Sequence, residues 1–257
     1  MVTTMQRENV KKGIYVLPNL FTSMNIFCGF YSIISAVEGR FVHAAVSILI
    51  GGVFDLLDGK IARATHTTSR FGVEYDSLSD LISFGLAPAV LMYLWAMQPL
   101  GRLGWLAAFM FMICGALRLA RFNTATAAAG ADSSYFQGIP IPAAACMIVS
   151  IVLFFSRFNI DPGPFTILFL IMLYGLAFLM VSSIKYNSFK NAELFKSLKF
   201  NRLVGLILVF VAIAYEPSIA LFGGIVLYVF SGPVSALFFH HSRVAAADDE
   251  EELHSLV

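Results

Sequence analysis

Four aspartates stand close together in a chain that otherwise avoids charge. Asp55 and Asp58 lie in the segment DLLDGKIAR at 55–63, and Asp76 and Asp80 in GVEYDSLSD at 72–80. Helical spacing puts Asp55, Asp58, Gly59 and Ala62 on one face at i, i+3, i+4 and i+7, with Asp76 and Asp80 sharing a face at i and i+4. Two helix ends can therefore aim four carboxylates at one another. Alone, these groups would repel each other and dehydrate at heavy cost near lipid. Bound divalent cations remove both objections, because hard ions prefer carboxylate oxygen. Gly59 and Ala62 leave a bare strip of helix where a ligand or neighbouring backbone can come close. The segment 55–80 is the candidate active site.

The elements that must hold it are membrane helices. Of 257 residues, 58% are hydrophobic and only 13% charged, against about 25% charged in soluble domains; mean hydropathy is +0.79. Long runs free of Asp, Glu, Lys and Arg cover Gly13–Val37, Leu81–Gly101, Ser133–Ser156, Pro162–Ile184 and Pro217–Phe239, each reaching the ~20 residues a spanning helix needs. Shorter runs at Phe41–Phe54, Leu103–Leu117 and Leu203–Tyr215 borrow flanking residues. The fold expected is all-α, a polytopic bundle of eight spans. A β-barrel would show alternating ~10-residue segments instead. Cys28, Cys114 and Cys146 all lie in apolar runs and read as small core residues. There is no basic aromatic patch for nucleic acid, and the polar N-terminus followed by a long apolar run does not read as a cleavable signal.

Eight spans sort the cations sharply. One side collects Arg7, Lys11, Lys12, Lys60, Arg63, Arg70, Arg118, Arg121, Lys185, Lys190, Lys196, Lys199, Arg202 and Arg243, the other only Arg40, Arg102 and Arg157. This positive-inside bias puts both termini and the aspartates on the cytoplasmic side. Asp55 and Asp80 would each lie eight residues inside a helix end, about 12 Å deep at 1.5 Å per residue. A lipid headgroup and a soluble substrate can meet at that depth. Trp95 and Trp105 flank one outer loop, as interfacial belt residues would. The run Asp248–Glu252 reads as a solvated acidic tail.

The pattern D-x2-D-G-x2-A-R-x8-G-x3-D-x3-D, filled by Asp55, Asp58, Gly59, Ala62, Arg63, Gly72, Asp76 and Asp80, resembles the signature of the CDP-alcohol phosphatidyltransferases. The resemblance covers the first six spans. It implies a six-helix core over residues 1–184, two additional helices over 185–240, and a tail over 241–257. The stretches LPNLFT at 17–22, SDLISFGLAP at 79–88, RLARFN at 118–123 and GIPIPAAA at 138–145 look like the serine-transferring branch of that family.

The resemblance implies phosphatidyl transfer from CDP-diacylglycerol to L-serine, releasing CMP, with two Mg²⁺ or Mn²⁺ ions as cofactors. It implies Asp55, Asp58 and Asp76 as metal ligands, and Asp80 as ligand or general base. Gly59, Ala62, Arg63 and Gly72, with Asn19 and Thr22, would line the nucleotide side. Arg118 and Arg121, three apart on one helix face, are candidates for a phosphate or the serine carboxylate, and Ser83 for a substrate contact. Ser77, Ser79 and Ser83 can equally bond back to helix carbonyls. A multi-pass location in a bacterial-type inner membrane and a homodimer are implied in the same way. Two alternatives stay open: the same transfer to glycerol 3-phosphate, inositol phosphate or choline, and a cation-coupled carrier. The carrier would place its carboxylates nearer mid-bilayer.

Overall fold

The chain assembles from long apolar helices whose ends are set by proline, glycine and short polar turns. The computed structural model describes residues 2–65, 69–129, 135–187 and 215–234. Helix α1 spans Val2–Val37 and α2 Phe41–Ala64. Helix α3 runs over Arg70–Leu100, α4 over Arg102–Ala129, α5 over Ile141–Arg157 and α6 over Thr166–Val181. Helix α7 spans Pro217–Val234. Among the described residues six segments are long and apolar enough to cross a membrane; α5, at 17 residues, is shorter. The chain is thus a polytopic helical membrane protein. The expected seventh span, Leu203–Tyr215, lies outside the described residues except for Tyr215, as does the acidic tail.

Helix α3 is not uniform. Two stretches, Leu81–Leu86 and Tyr93–Met97, wind as π-helix. Each comes just before a proline, Pro88 and Pro99. A proline has no N–H to give and its ring collides with the carbonyl four residues back. Slipping to i→i+5 bonding ahead of it absorbs the misfit, as the Ala87 N–H does by donating to the Ile82 carbonyl. The first π stretch begins one residue after Asp80, and such bulges often mark functional sites.

Within the described part of the apolar run at Ser133–Ser156, helix begins at Ile141. Gly138 adopts φ +77°, in the left-handed region open to glycine, and Pro140 sits at the N-cap with an extended ψ. Just before them, strand β1 (Tyr135–Gln137) pairs antiparallel with β2 (Lys185–Asn187). The sequence reading contains no such ladder. It closes the aspartate end of the bundle between α5 and α6, where the Ile139 N–H donates to the Leu179 carbonyl.

Helix α1 packs along α2 and against α3, α4 along α6, and α5 against α2. Small residues permit the closest approaches, the usual means of joining membrane helices. A β-carbon on Gly29 would stand 2.6 Å from Ser83 Oγ, and one on Gly51 2.8 Å from Asn25 Oδ1. The core gathers Phe84, Leu91, Phe111, Ile148 and Leu173, while Phe27, Phe178 and Leu227 face outward. In lipid that outward apolar surface costs nothing.

Polar groups sort by end. Arg40, Arg102 and Arg157 mark one end, and Lys60, Arg63, Arg70, Arg118 and Arg121 lie toward the other. Arg157 pairs with Glu216 through two contacts, 2.6 and 3.2 Å. The described chain therefore leaves off at Asn187 at one end of the bundle and resumes at Tyr215 at the other. Trp95 is half-buried, its ring against Phe155 and Phe169, whereas Trp105 is exposed.

Candidate active site

The last turns of α2 and the first turns of α3 run side by side against α1, and this placement brings the aspartates together. One carboxylate oxygen from each of Asp55, Asp76 and Asp80 lies within 4.8 Å of the others. Asp58, one turn on from Asp55, is within electrostatic reach of Asp55 and Asp76. It is also the most enclosed of the four, at 4% exposed. Its Oδ2 accepts a 2.8 Å hydrogen bond from Thr22 Oγ1, which also bonds back to the Pro18 carbonyl.

Helix α1 supplies the brace. Ser79 Oγ donates to the Thr22 carbonyl at 3.2 Å and Ser83 Oγ to the Asn25 carbonyl at 2.8 Å. These two hydroxyls lock α3 onto α1 one turn apart, on either side of Asp80. Ser23 Oγ and Tyr75 Oη meet at 2.9 Å, and Asn123 Nδ2 donates to Ser77 Oγ at 2.9 Å, tying α4 to α3. The start of α3 is capped by Ser69, whose Oγ accepts from the Gly72 N–H at 3.0 Å. A β-carbon on Gly72 would come 3.2 Å from that Oγ and 3.8 Å from Asn19 Oδ1. Glycine there lets the cap and Asn19 close over the start of the helix.

What the cluster lacks is equally informative. Asp76 Oδ1 and Asp80 Oδ1 are buried with no hydrogen-bond partner. Among the described residues no Lys or Arg forms an ion pair with any of the four aspartates; the pairs present are Arg40–Glu38 and Arg157–Glu216. Buried carboxylates are ordinarily paired, hydrogen-bonded or bound to metal. Converging, unpaired oxygen donors from two helices fit hard divalent cations, which take carboxylate ligands in this way. The residues present fit such ions.

The remaining candidates divide. Gly59 is open except for Arg63, whose Nη2 would lie 3.8 Å from a β-carbon there. The exposed Arg63 side chain thus reaches back toward the glycine on a half-buried turn. Ala62 is half-buried beside it. Arg118 is 7% exposed, with a buried Nε that has no partner, and the carboxylate of Asp80 is the strongest charge acting on it. Arg121 turns away: its Nη1 and Nη2 donate to the Val181 and Ser182 carbonyls at 2.9 and 3.3 Å, capping the end of α6. Ser83 spends its hydroxyl on the α1–α3 junction.

Sequence reasoning passed over Asn25, fully buried with neither amide atom hydrogen-bonded, and Ser79 as a brace. A signal existed. Asn19, Thr22 and Asn25 recur every three residues along an apolar helix, and Ser79 and Ser83 are one turn apart on the helix facing them.

The family model of the CDP-alcohol phosphatidyltransferases matches residues 15–182. A CDP-diacylglycerol–serine O-phosphatidyltransferase of Helicobacter pylori is 40% identical over 227 residues, covering 88% of this chain and 92% of its own. One from Bacillus subtilis is 37% identical over 176 residues, 68% and 91% of the two chains. An archaetidylserine synthase of Methanothermobacter thermautotrophicus is 34% identical over 186 residues, 71% and 74%. The match to the family model spans α1 to α6, including both aspartate segments, and the chain belongs to the CDP-alcohol phosphatidyltransferase family.

Proposed function

We propose that this chain transfers the phosphatidyl group of CDP-diacylglycerol to L-serine, giving phosphatidylserine and CMP. The observation that carries the reading is the convergence of Asp55, Asp76 and Asp80 beside Asp58, with buried, unbonded carboxylate oxygens on Asp76 and Asp80 and, among the described residues, no ion pair to any of the four. Serine as acceptor is supported by the names of the H. pylori and B. subtilis relatives.

In this reading the serine hydroxyl oxygen attacks the phosphorus that carries diacylglycerol. A new P–O bond forms, the P–O bond to CMP breaks, and CMP leaves with the bonding pair. Such transfers need positioned charge more than covalent help. Asp55, Asp58, Asp76 and Asp80 would hold a pair of Mg²⁺ or Mn²⁺ ions, which supply neutralisation of the pyrophosphate and of the leaving phosphate. Thr22 fixes the rotamer of Asp58 from α1. Asp80, half-buried and within electrostatic reach of Arg118, takes the serine hydroxyl proton as the bond forms. Arg118 receives the serine carboxylate, for which a guanidinium fork is suited. Gly59, Ala62, Arg63 and Gly72, with Asn19, border the nucleotide.

The surrounding organisation belongs to the same proposal. A core of residues 1–184 is followed by two helices over 185–240 and a cytoplasmic tail, making eight spans. Supporting this, the described chain changes ends of the bundle between Asn187 and Tyr215. The cation asymmetry supports a cytoplasm-facing site in a bacterial-type inner membrane, and a homodimer is implied by the family.

The test is acceptor specificity. Purified protein given CDP-diacylglycerol and one labelled alcohol at a time is expected to release CMP with serine and not with glycerol 3-phosphate, inositol phosphate or choline. CMP release with one of those, and none with serine, would reassign the acceptor. Cation flux without any CMP release would reject transfer altogether.

A further inference from the structure

The first turn of α5 is wedged in beside the aspartate site. A β-carbon on Gly115 would stand 2.6 Å from Ile141 Cδ1, and one on Gly85 3.6 Å from it. Gly115 lies three residues from Arg118 on α4, and Gly85 five residues from Asp80 on α3. Ile141 therefore sits about one helical turn deeper in the bundle than either charged group. Beyond it Ala144, Ala145, Ile148 and Val149 are fully buried. The half-buried strip of these turns, Pro142, Ala143 and Cys146, faces α7 across an apolar cavity of about 690 Å³.

That cavity has the length of a lipid chain. Its wall on α7 runs from Pro217 to Tyr228, a rise of about 16 Å at 1.5 Å per residue. One leaflet of a ~30 Å hydrocarbon core is about 15 Å deep. The side chains of Ala220, Leu221 and Ile225 along this wall give water nothing to bond, and apolar cavities stay free of it. Gly224 widens the space, since a β-carbon there would meet nothing within 4 Å. Hydrocarbon fits here, and the cavity begins one turn from the groups that would anchor a lipid's phosphates.

We propose that this cavity seats one acyl chain of CDP-diacylglycerol, so that α7, outside the segment matched by the family model, walls the donor's tail. The inference rests on the transfer reading given above and deepens it. With the pyrophosphate at the aspartates, the chain passes the turn at Ile141 and lies between α5 and α7. Continuity with the site favours the substrate's own chain over that of a bulk lipid. Lipid tails are as apolar as the wall, so the cavity selects by shape and length, not by hydrophobic gain.

The experiment compares full-length wild type, Gly224→Leu and, as matched control, Gly223→Leu. Both glycines are exposed with open space at the β-carbon, and leucine raises helix propensity at each. Gly224 faces the cavity; Gly223 points about 100° round the helix from it. CMP release is followed against serine, against dioleoyl CDP-diacylglycerol and against a dihexanoyl analogue too short to run along α7. Gly224→Leu is expected to raise the dioleoyl KM about tenfold, the scale of a small misfit in an apolar pocket. The dihexanoyl KM, the serine KM and kcat should stay as in wild type, and Gly223→Leu should match wild type throughout. In parallel, CDP-diacylglycerol with a diazirine in each acyl chain is photolysed on the wild type and the labelled peptides are mapped. Label is expected on α5 and α7, removed by excess CDP-diacylglycerol and kept in excess phosphatidylglycerol. An unchanged dioleoyl KM in Gly224→Leu, or an equal rise in Gly223→Leu, overturns the inference. Label confined to other helices, or displaced equally by phosphatidylglycerol as a bulk lipid's chain would be, also overturns it. In each of these cases wild-type turnover with serine keeps the reading beneath it; a wild type inactive with serine removes both.

Discussion

The two ends of the bundle treat charged groups in opposite ways. At the end bearing Arg40, Arg102 and Arg157, the ion pairs are closed on themselves, and the buried atoms without a partner, Ser32 Oγ and Ser35 Oγ, are neutral hydroxyls. Arg157 is matched by Glu216, Thr166 donates to the Ala96 carbonyl, and Trp95 sits in a cluster of Phe155, Phe165 and Phe169. At the other end Asp76, Asp80 and Arg118 each bury an atom with no protein partner. Uncompensated buried polarity is costly in a folded protein. Among the described residues the first end leaves no buried charged group unmatched, whereas the second leaves carboxylate and guanidinium atoms that a ligand could satisfy. The contrast separates what stabilises the bundle from what the bundle is for.

Substitutions at the two ends should therefore fail differently. The largest effect is expected from Asp80→Asn, which keeps the shape of the side chain and removes its charge. Turnover should fall by about 10³-fold with an unchanged thermal midpoint in detergent; near-normal turnover would take Asp80 out of the reaction. Phe169→Ala strips a ring that is 3% exposed and touches Trp95, Phe155 and Phe165. It should cost about 3 kcal/mol of stability while the protein that remains folded keeps its kcat. Thr22→Val deletes the hydroxyl bonded to Asp58 and leaves the helix intact. Activity should drop about tenfold, the scale of a lost bond to a charged group, and more metal should be needed for half-maximal rate. Arg157→Ala breaks a pair that is 56% exposed on the arginine side, so a loss below about 1 kcal/mol and unaltered kinetics are expected. If Arg157→Ala and Asp80→Asn impaired turnover alike, the division between the ends would be wrong.

Much of the aspartate cluster was legible because its spacing is local. Asp55 and Asp58 share a helix face by periodicity, and so do Asp76 and Asp80; what sequence alone leaves open is that the two faces meet. The six long apolar helices among the described residues were legible from charge depletion. Their interior facing was not, since lipid-exposed Phe27, Phe178 and Leu227 are as apolar as buried Phe84 and Phe111, and hydrophobic periodicity fades when both surroundings are apolar. The remaining surprises are contacts between distant segments. Arg121 reads as a twin of Arg118 on its own helix, yet it donates to the carbonyls of Val181 and Ser182, 60 and 61 residues on. The β1–β2 ladder likewise joins segments on either side of two helices. The π-helical turns do have a local cause in Pro88 and Pro99, so that feature of α3 was readable in principle.

The most direct measurement of the central claim is CMP release by purified protein supplied with CDP-diacylglycerol and serine, first in chelator and then with Mg²⁺ or Mn²⁺ restored. The account predicts no turnover without divalent cation, full recovery on its return, and no recovery in Asp80→Asn. Turnover that continues undiminished in chelator would contradict it, since the four carboxylates would then be serving some purpose other than holding ions around the phosphates.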